Sequence, residues 1–189
     1  MVSSKIYLEG GGDASVLRKR YSQAFHSVLD PICGKSKPRI VAKGGRKEAF
    51  DAFKIGLNDS TLDIVFLLID SEEPIKDIEK TWIHLSNRKE DQWTKPKDAN
   101  DEHVLFMTTA VETWVLADLK IRGGEKIDKS IEKIAKEIVL ADLSKVTVGK
   151  YLKSVDEQSK FIERIDPNNL SALPSFARVR RILQEKLSA

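Results

Sequence analysis

The chain has a single cysteine, Cys33, in 189 residues. No internal disulfide can form, which fits a reducing compartment. No histidine or asparagine signature of a thiol catalyst accompanies Cys33, so it reads as a small, semi-buried residue. Histidine is scarce as well: His26, His84 and His103 lack metal-ligand spacing and carry no assigned role. No apolar run approaches the roughly 20 residues of a membrane span. No apolar core of signal-peptide type follows a basic start. A soluble, cytoplasmic protein with no membrane partner is expected. The formal net charge is only +3, so the global balance says little about partners, and only local basic clusters bear on nucleic acid. Internal repeats and low-complexity segments are absent. The length suits one domain, or one domain with an extension, and is enough to bury an ordinary core.

What the chain does have is two apolar runs that stop on carboxylates. One is Ile6-Tyr7-Leu8-Glu9-Gly10-Gly11-Gly12-Asp13; the other is Ile64 to Ile69 followed by Asp70-Ser71-Glu72. Carboxylates are costly to desolvate, so a buried strand ends in one for a reason. If the two strands are parallel neighbours, Glu9, Asp70 and Glu72 meet at the carboxyl edge, where open α/β sheets hold ligands. Three converging carboxylates call for a cation, and hard oxygen donors suit Mg²⁺ or Mn²⁺.

The spacing predicts strands at 5–8, 38–42, 62–69 and 103–108. Helices are expected after the first, second and fourth of these. Leu17, Tyr21, Ala24, Phe25 and Val28 form one buried stripe, and Ala49, Phe50, Phe53 and Leu57 form another. Val111, Trp114, Val115 and Leu119 form a third. Residues 86–102 read as a long polar surface loop containing Trp93. The strand at 62–69 is apolar without alternation, as in a parallel strand covered on both faces. The order β-α-β-α-β-(α/loop)-β-α implies an α/β fold with a mostly parallel four-stranded sheet over residues 1–122. Residues 123–189 read as a helical extension packed on the core or on a partner. It has a stripe of Ile127, Ile131, Ile134 and Ile138, and further helices at about 147–164 and 170–187.

The glycine turn fails two nucleotide-loop patterns. Gly10 and Gly12 lack the third glycine of G-x-G-x-x-G, because Ser15 stands there. Gly34-Lys35-Ser36 supplies the tail of a P-loop, but Leu29 takes the place of its first glycine. An acidic metal site remains, with glycines permitting close approach of metal and substrate. The competing structural reading is a strand–turn–helix junction in which the acids cap helices.

In its ordered set of motifs the chain resembles Toprim proteins. Glu9 follows the first strand, and Asp70-Ser71-Glu72 follows a later one. The closer likeness is to the small Toprim-like proteins that include AriB, the effector subunit of the PARIS phage-defence system, and that are related to RloB-like and OLD-family nucleases. Ile6–Asp13, Gly44-Gly45-Arg46, Leu68–Glu72, Val111-Glu112-Thr113-Trp114 and Tyr151-Leu152-Lys153 carry it. Glu72 departs from the aspartate of many Toprim proteins, and Glu73 adjoins it. No ATPase segment is present, so energy-dependent control would come from another chain.

The resemblance implies a Mg²⁺-dependent nuclease of defence or toxin type that cleaves phosphodiesters in DNA or RNA, tRNA included. Asp70 and Glu72 would hold the metal, and Glu9 would complete the site or act as general base. Glu112 is a candidate second ligand or base-orienting acid, against an equal reading as a helix N-terminal acid. Asp13 reads first as a cap and second as a supporting acid. Phosphate contacts fall to Arg46, Lys47 and Lys153, with Arg18 and Lys43 as further cations. Arg46, opening a helix after a glycine pair, is suited to a bidentate clamp. The run Arg178, Arg180 and Arg181 reads as solvated helix surface or partner contact. Of Trp82, Trp93 and Trp114, each with a face that could stack a base, Trp114 is expected in the core, and Trp93 is the one expected to meet substrate or a partner. The rival expectation is a silent Toprim-like interaction module that binds a partner ATPase or a second copy of the chain. A small phosphate ester is a third substrate class open to the same acids.

Overall fold

A computed structural model of the protein describes residues 2–149, 151 and 154–188. Strands β1 (Ser4–Leu8), β2 (Arg39–Ala42), β3 (Ile64–Asp70) and β4 (Val104–Met107) form one sheet in the order β2-β1-β3-β4. All pairings are parallel, with Leu8 opposite Leu68 and Asp70 opposite Met107. The helices are α1 (Ser15–Leu29), α2 (Arg46–Leu57), α3 (Thr81–Asn87), α4 (Val111–Arg122), α5 (Lys136–Val146), α6 (Val155–Ile162) and α7 (Pro174–Leu187). The expected α/β class with a parallel sheet flanked by helices is the observed one.

Both faces of the sheet are covered, and side-chain alternation sorts them. Ile6, Leu8, Ile40, Phe66, Leu68, Leu105 and Met107 share a core with α1 and α4 to α7. Tyr7, Val65, Leu67, Ile69, Val104 and Phe106 share the other with α2, Trp82 and Leu85. Residues of α5, α6 and α7 thus bury their apolar stripes on the same core as β1 and β3. Trp114 is fully buried there, and Cys33 is buried as well.

Several local expectations change. The isoleucine stripe is not one helix. Asp128 caps a 3₁₀ turn, Lys129–Lys133, by accepting from Ser130 N at 2.7 Å. Extended backbone at Ile134 and Ala135 then separates it from α5. Ile131 is buried, whereas Ile138 is exposed on the new helix. The helix expected from 147 starts only at Val155, because Val148 and Gly149 adopt positive φ (53° and 71°). The final helix opens at Pro174, where proline's fixed φ suits the first turn. The helix allowed for between β3 and β4 is present at Thr81–Asn87 and takes Ser86 and Asn87 from the expected polar loop.

Arg178 is not solvated surface. It is buried, and donates to Val104 O (2.8 Å), Asp101 O (2.7 Å) and Glu79 Oε2 (3.0 Å). It bolts α7 to the end of the sheet, and its guanidinium fork satisfies several acceptors at once. Trp82 is a core residue whose indole N–H donates to Asn100 O at 2.9 Å.

Candidate functional site

The parallel pairing of β1 and β3 brings the two acidic ends together. Glu9 N donates to Leu68 O at 3.0 Å, extending the ladder by one residue. Asp70 N in turn donates to Glu9 Oε2 at 3.2 Å. The chain then curls toward β4: Ser71 N bonds Met107 O and Glu72 N bonds Thr109 O. Glu72 takes φ of 66°, a left-handed conformation that a non-glycine residue adopts at a cost. The turn aims its carboxylate back at the edge.

Asp70 has a second partner. Its Oδ1 accepts from Val111 N at 2.9 Å, so it caps α4 across the sheet. The capping reading of the acids therefore holds for Asp70. It fails for Asp13, which is exposed, while α1 opens at Ala14 without a side-chain cap. Glu112, in the first turn of α4, is buried. Its Oε1 accepts from Tyr151 Oη (2.9 Å) and Gln158 Nε2 (3.0 Å).

Two cations interleave with the acids. Lys136 Nζ, at the start of α5, lies 2.7 Å from Glu72 Oε2 and 3.5 Å from Asp70 Oδ2. Arg46 Nη1 donates to Glu9 Oε2 (3.0 Å) and to Asp70 O (2.5 Å). Burial pushes the Asp70 carboxyl well above the usual range, and repulsion from Glu9, Glu112 and Glu72 adds to it against Lys136. Glu9 is raised for the same first reason, with Glu72 adding and Arg46 opposing. Burial works against a charged Lys136, but the acids prevail and raise its pKa.

Arg46 is anchored from behind. Its Nε and Nη2 grip Asp91 at 2.8 and 2.7 Å. Four of its five N–H donors are thereby committed inside the protein. It organises the acids, and the free phosphate clamp expected at this position is not what the geometry offers. Asp91, 3% exposed at its side chain, also accepts from Arg88 Nε at 2.8 Å. Burial alone would raise its pKa; the bonds to Arg46 and the charges of Arg46 and Arg88 hold it below the usual range instead. Trp93 stacks on Phe50 at 4.0 Å, with the Arg46 guanidinium 5.1 Å from its ring. These groups line a cleft of about 610 Å³ that opens beside Glu9 and Glu72 and includes exposed Lys47.

The glycines serve the chain itself. Gly10 (φ 109°) exchanges backbone hydrogen bonds with Gly44, and a Cβ there would meet the Tyr21 ring at 2.6 Å. The tight space beside Gly10 is thus filled by Tyr21, where room for substrate was expected. Lys43 lies near the Tyr7 ring, and Arg18 packs its backbone close to Gly11. Lys153 lies outside the described residues, as does Leu152 beside it.

Asp91, Arg88, Lys136 and Gln158 carried no functional signal in the sequence, and Tyr151 stood out only as part of the Tyr151-Leu152-Lys153 segment of the resemblance, with no role assigned. Only the Arg88-x-x-Asp91 spacing hinted at a local ion pair. Among the described residues no three His, Cys, Asp or Glu side chains already stand in metal-ligating geometry. Comparison with protein-family models, with curated proteins and with solved structures gave no match.

Proposed function

We propose that this chain is a divalent-metal-dependent phosphodiesterase acting on nucleic acid, with its reaction centre at Glu9, Asp70 and Glu72. The observation that carries the reading is their convergence. Carboxylates from two strand ends and a strained turn share one edge, and burial with mutual repulsion raises the pKa of Glu9 and Asp70. Strain and crowded like charge cluster where a function holds them.

The donor set fits a hard cation. Glu9, Asp70 and Glu72 supply carboxylate oxygens, which suit Mg²⁺ or Mn²⁺. Bound there, the ion would polarise a phosphodiester toward attack by water. The other work falls to the chain's own groups. Arg46 fixes the Glu9 carboxylate through its grip on Asp91. Glu9, with its raised pKa, is matched to take a proton from an attacking water. Lys136 sits on a flexible stem and is able to leave the acids for a phosphate oxygen. Glu112 stands behind Asp70 and holds Tyr151 and Gln158 in place. The likeness to Toprim-type effectors makes phage defence, under control of a partner ATPase or of self-association, the biological setting we propose.

The test is cleavage of labelled DNA, RNA and tRNA with Mg²⁺ or Mn²⁺. Asp70→Asn keeps an acceptor for Val111 N, so it separates chemistry from capping. A rate loss of about 100-fold or more is expected for Asp70→Asn and Glu9→Gln with the fold intact by circular dichroism. Equal metal-dependent cleavage by wild type and both variants would sink the reading.

A further inference from the structure

Across the sheet edge from Arg46 lies a smaller cleft that the acids do not use. It measures about 160 Å³, some five times the roughly 30 Å³ of a water molecule. Its walls are the loop carrying Ile75 and Lys76, Thr108 just past β4, the 3₁₀ turn with Lys129, Glu132 and Lys133, and Pro174.

Three features point to an anion. Lys76, Lys129 and Lys133 come from two separate segments and form no ion pair among the described residues. Thr108 is 2% exposed, and its hydroxyl has no hydrogen-bond partner among the described residues. A buried hydroxyl without a partner is rare, because it forfeits water without replacement. The carboxylate in the wall, Glu132, is turned to α7, where it accepts from Ser175 N at 3.1 and 3.2 Å and from Ser175 Oγ. Asp128, near Lys129 and Lys133, is occupied with Ser130.

The position ties this cleft to the acids. Thr108 follows Met107, the register partner of Asp70, and Thr109 O accepts from Glu72 N. The large cleft on the other side is the poorer route for a polyanion. Five carboxylates line it against four cations, and Arg46, Arg88 and Lys54 are already paired.

We propose that the Thr108 cleft binds a phosphate group, and that it receives the phosphate of a nucleic-acid strand next to the one cleaved. The second half rests on the phosphodiesterase reading above. A substrate held this way carries at least two phosphates, which selects a strand over a small monoester.

The experiment measures binding of a short fluorescein-labelled single strand by anisotropy in EDTA, where cleavage is blocked, over a salt series. Inorganic phosphate serves as competitor. Lys129→Gln with Lys133→Gln should weaken binding about tenfold. It should also lower the log–log salt slope by about 0.7 to 1.4, one or two phosphate contacts. Thr108→Val should cost about fivefold with the slope unchanged, as one hydrogen bond would. In an Asp70→Asn background, where cutting is lost, the lysine and Thr108 substitutions should weaken strand binding by the same factors as in wild type, so loss of chemistry and loss of this subsite are separable. Wild-type affinity and slope in both the lysine and Thr108 variants would overturn the proposal, whether or not the strand is cleaved. Binding of inorganic phosphate that depends on these residues, without strand binding, would keep the phosphate site and overturn its role toward a strand.

Discussion

Asp91 and Glu132 are both buried carboxylates flanking the same sheet edge, and they are treated in opposite ways. Asp91 sits between two guanidiniums, Arg46 and Arg88, which hold its carboxyl low despite burial. Among the described residues Glu132 has only the N–H and hydroxyl of Ser175, and burial pushes it up to about 7. The side of the edge near β1 is electrostatically closed: its acids have rigid, planar, multiply bonded cations. On the side near β4 charge is loosely matched, with Lys136 shared between Asp70 and Glu72 and, beyond it, Lys76, Lys129 and Lys133 in no ion pair among the described residues. On the closed side Asp91, Arg46 and Arg88 are scaffold, and Glu9 is the acid they hold at the reaction centre. The open side is where charge can be exchanged with a ligand.

The sharpest way to break this contrast is Arg46→Ala. It would leave Asp91 and Glu9 buried with fewer cations, and stranding a buried charge costs about 3–5 kcal/mol. A matching drop in stability by urea titration is expected. Arg46→Lys should recover little of it, since an ammonium cannot grip Asp91 through two parallel bonds. A loss below about 1 kcal/mol would mean that the closed side is not closed.

Glu132→Gln tests the other side. Glu132 titrates from the ordinary 4.5 up to about 7 in the folded protein. Below pH 4.5 both folded and unfolded states hold the proton, and burial is free of a charge penalty. Between 4.5 and 7 the unfolded chain ionises first, so wild-type stability falls; above 7 the loss is complete. The shift corresponds to about 3 kcal/mol at most. Glutamine keeps an acceptor for Ser175 without the charge. The variant should therefore match wild type near pH 4.5 and exceed it by about 1–3 kcal/mol at pH 8, read from urea midpoints across pH. Parallel curves would place the Glu132 charge outside the energetics of the open side.

The same contrast explains what could be read from the sequence. Glu9, Asp70 and Glu72 were legible because an apolar run ending in an acid is a local pattern, and parallel strand order made the two runs neighbours. The core stripes of α1, α2 and α4 were legible for the same reason, periodicity. The cations were not. Asp91 and Arg88 sit in a stretch whose composition reads as solvated loop, and only the fold turns them inward onto Arg46. Lys136 lies 64 residues beyond Glu72 along the chain, within what read as one isoleucine-striped region. Arg178 likewise sat in a run of arginines whose burial depends on the edge of β4. Charge pairing across long sequence separations leaves no periodic trace.

The smallest expected effect is the most discriminating. Lys136 keeps about 20% of its side chain exposed and meets the acids through one flexible stem. Burial already favours the protonated Asp70 carboxyl, so a proton can take the place of the lost ammonium, and Lys136→Met should stay within about 1 kcal/mol of wild type in EDTA. Its removal nevertheless takes the nearest mobile positive charge from Asp70 and Glu72. If Lys136 stands where a metal's charge belongs, Mn²⁺ should bind the variant more tightly, by about tenfold on calorimetry. Cleavage should fall at the same time, because the phosphate loses a cation that the metal does not replace. Weaker Mn²⁺ binding would instead make Lys136 a support of the acid geometry, and the open side would then be as fixed as the closed one.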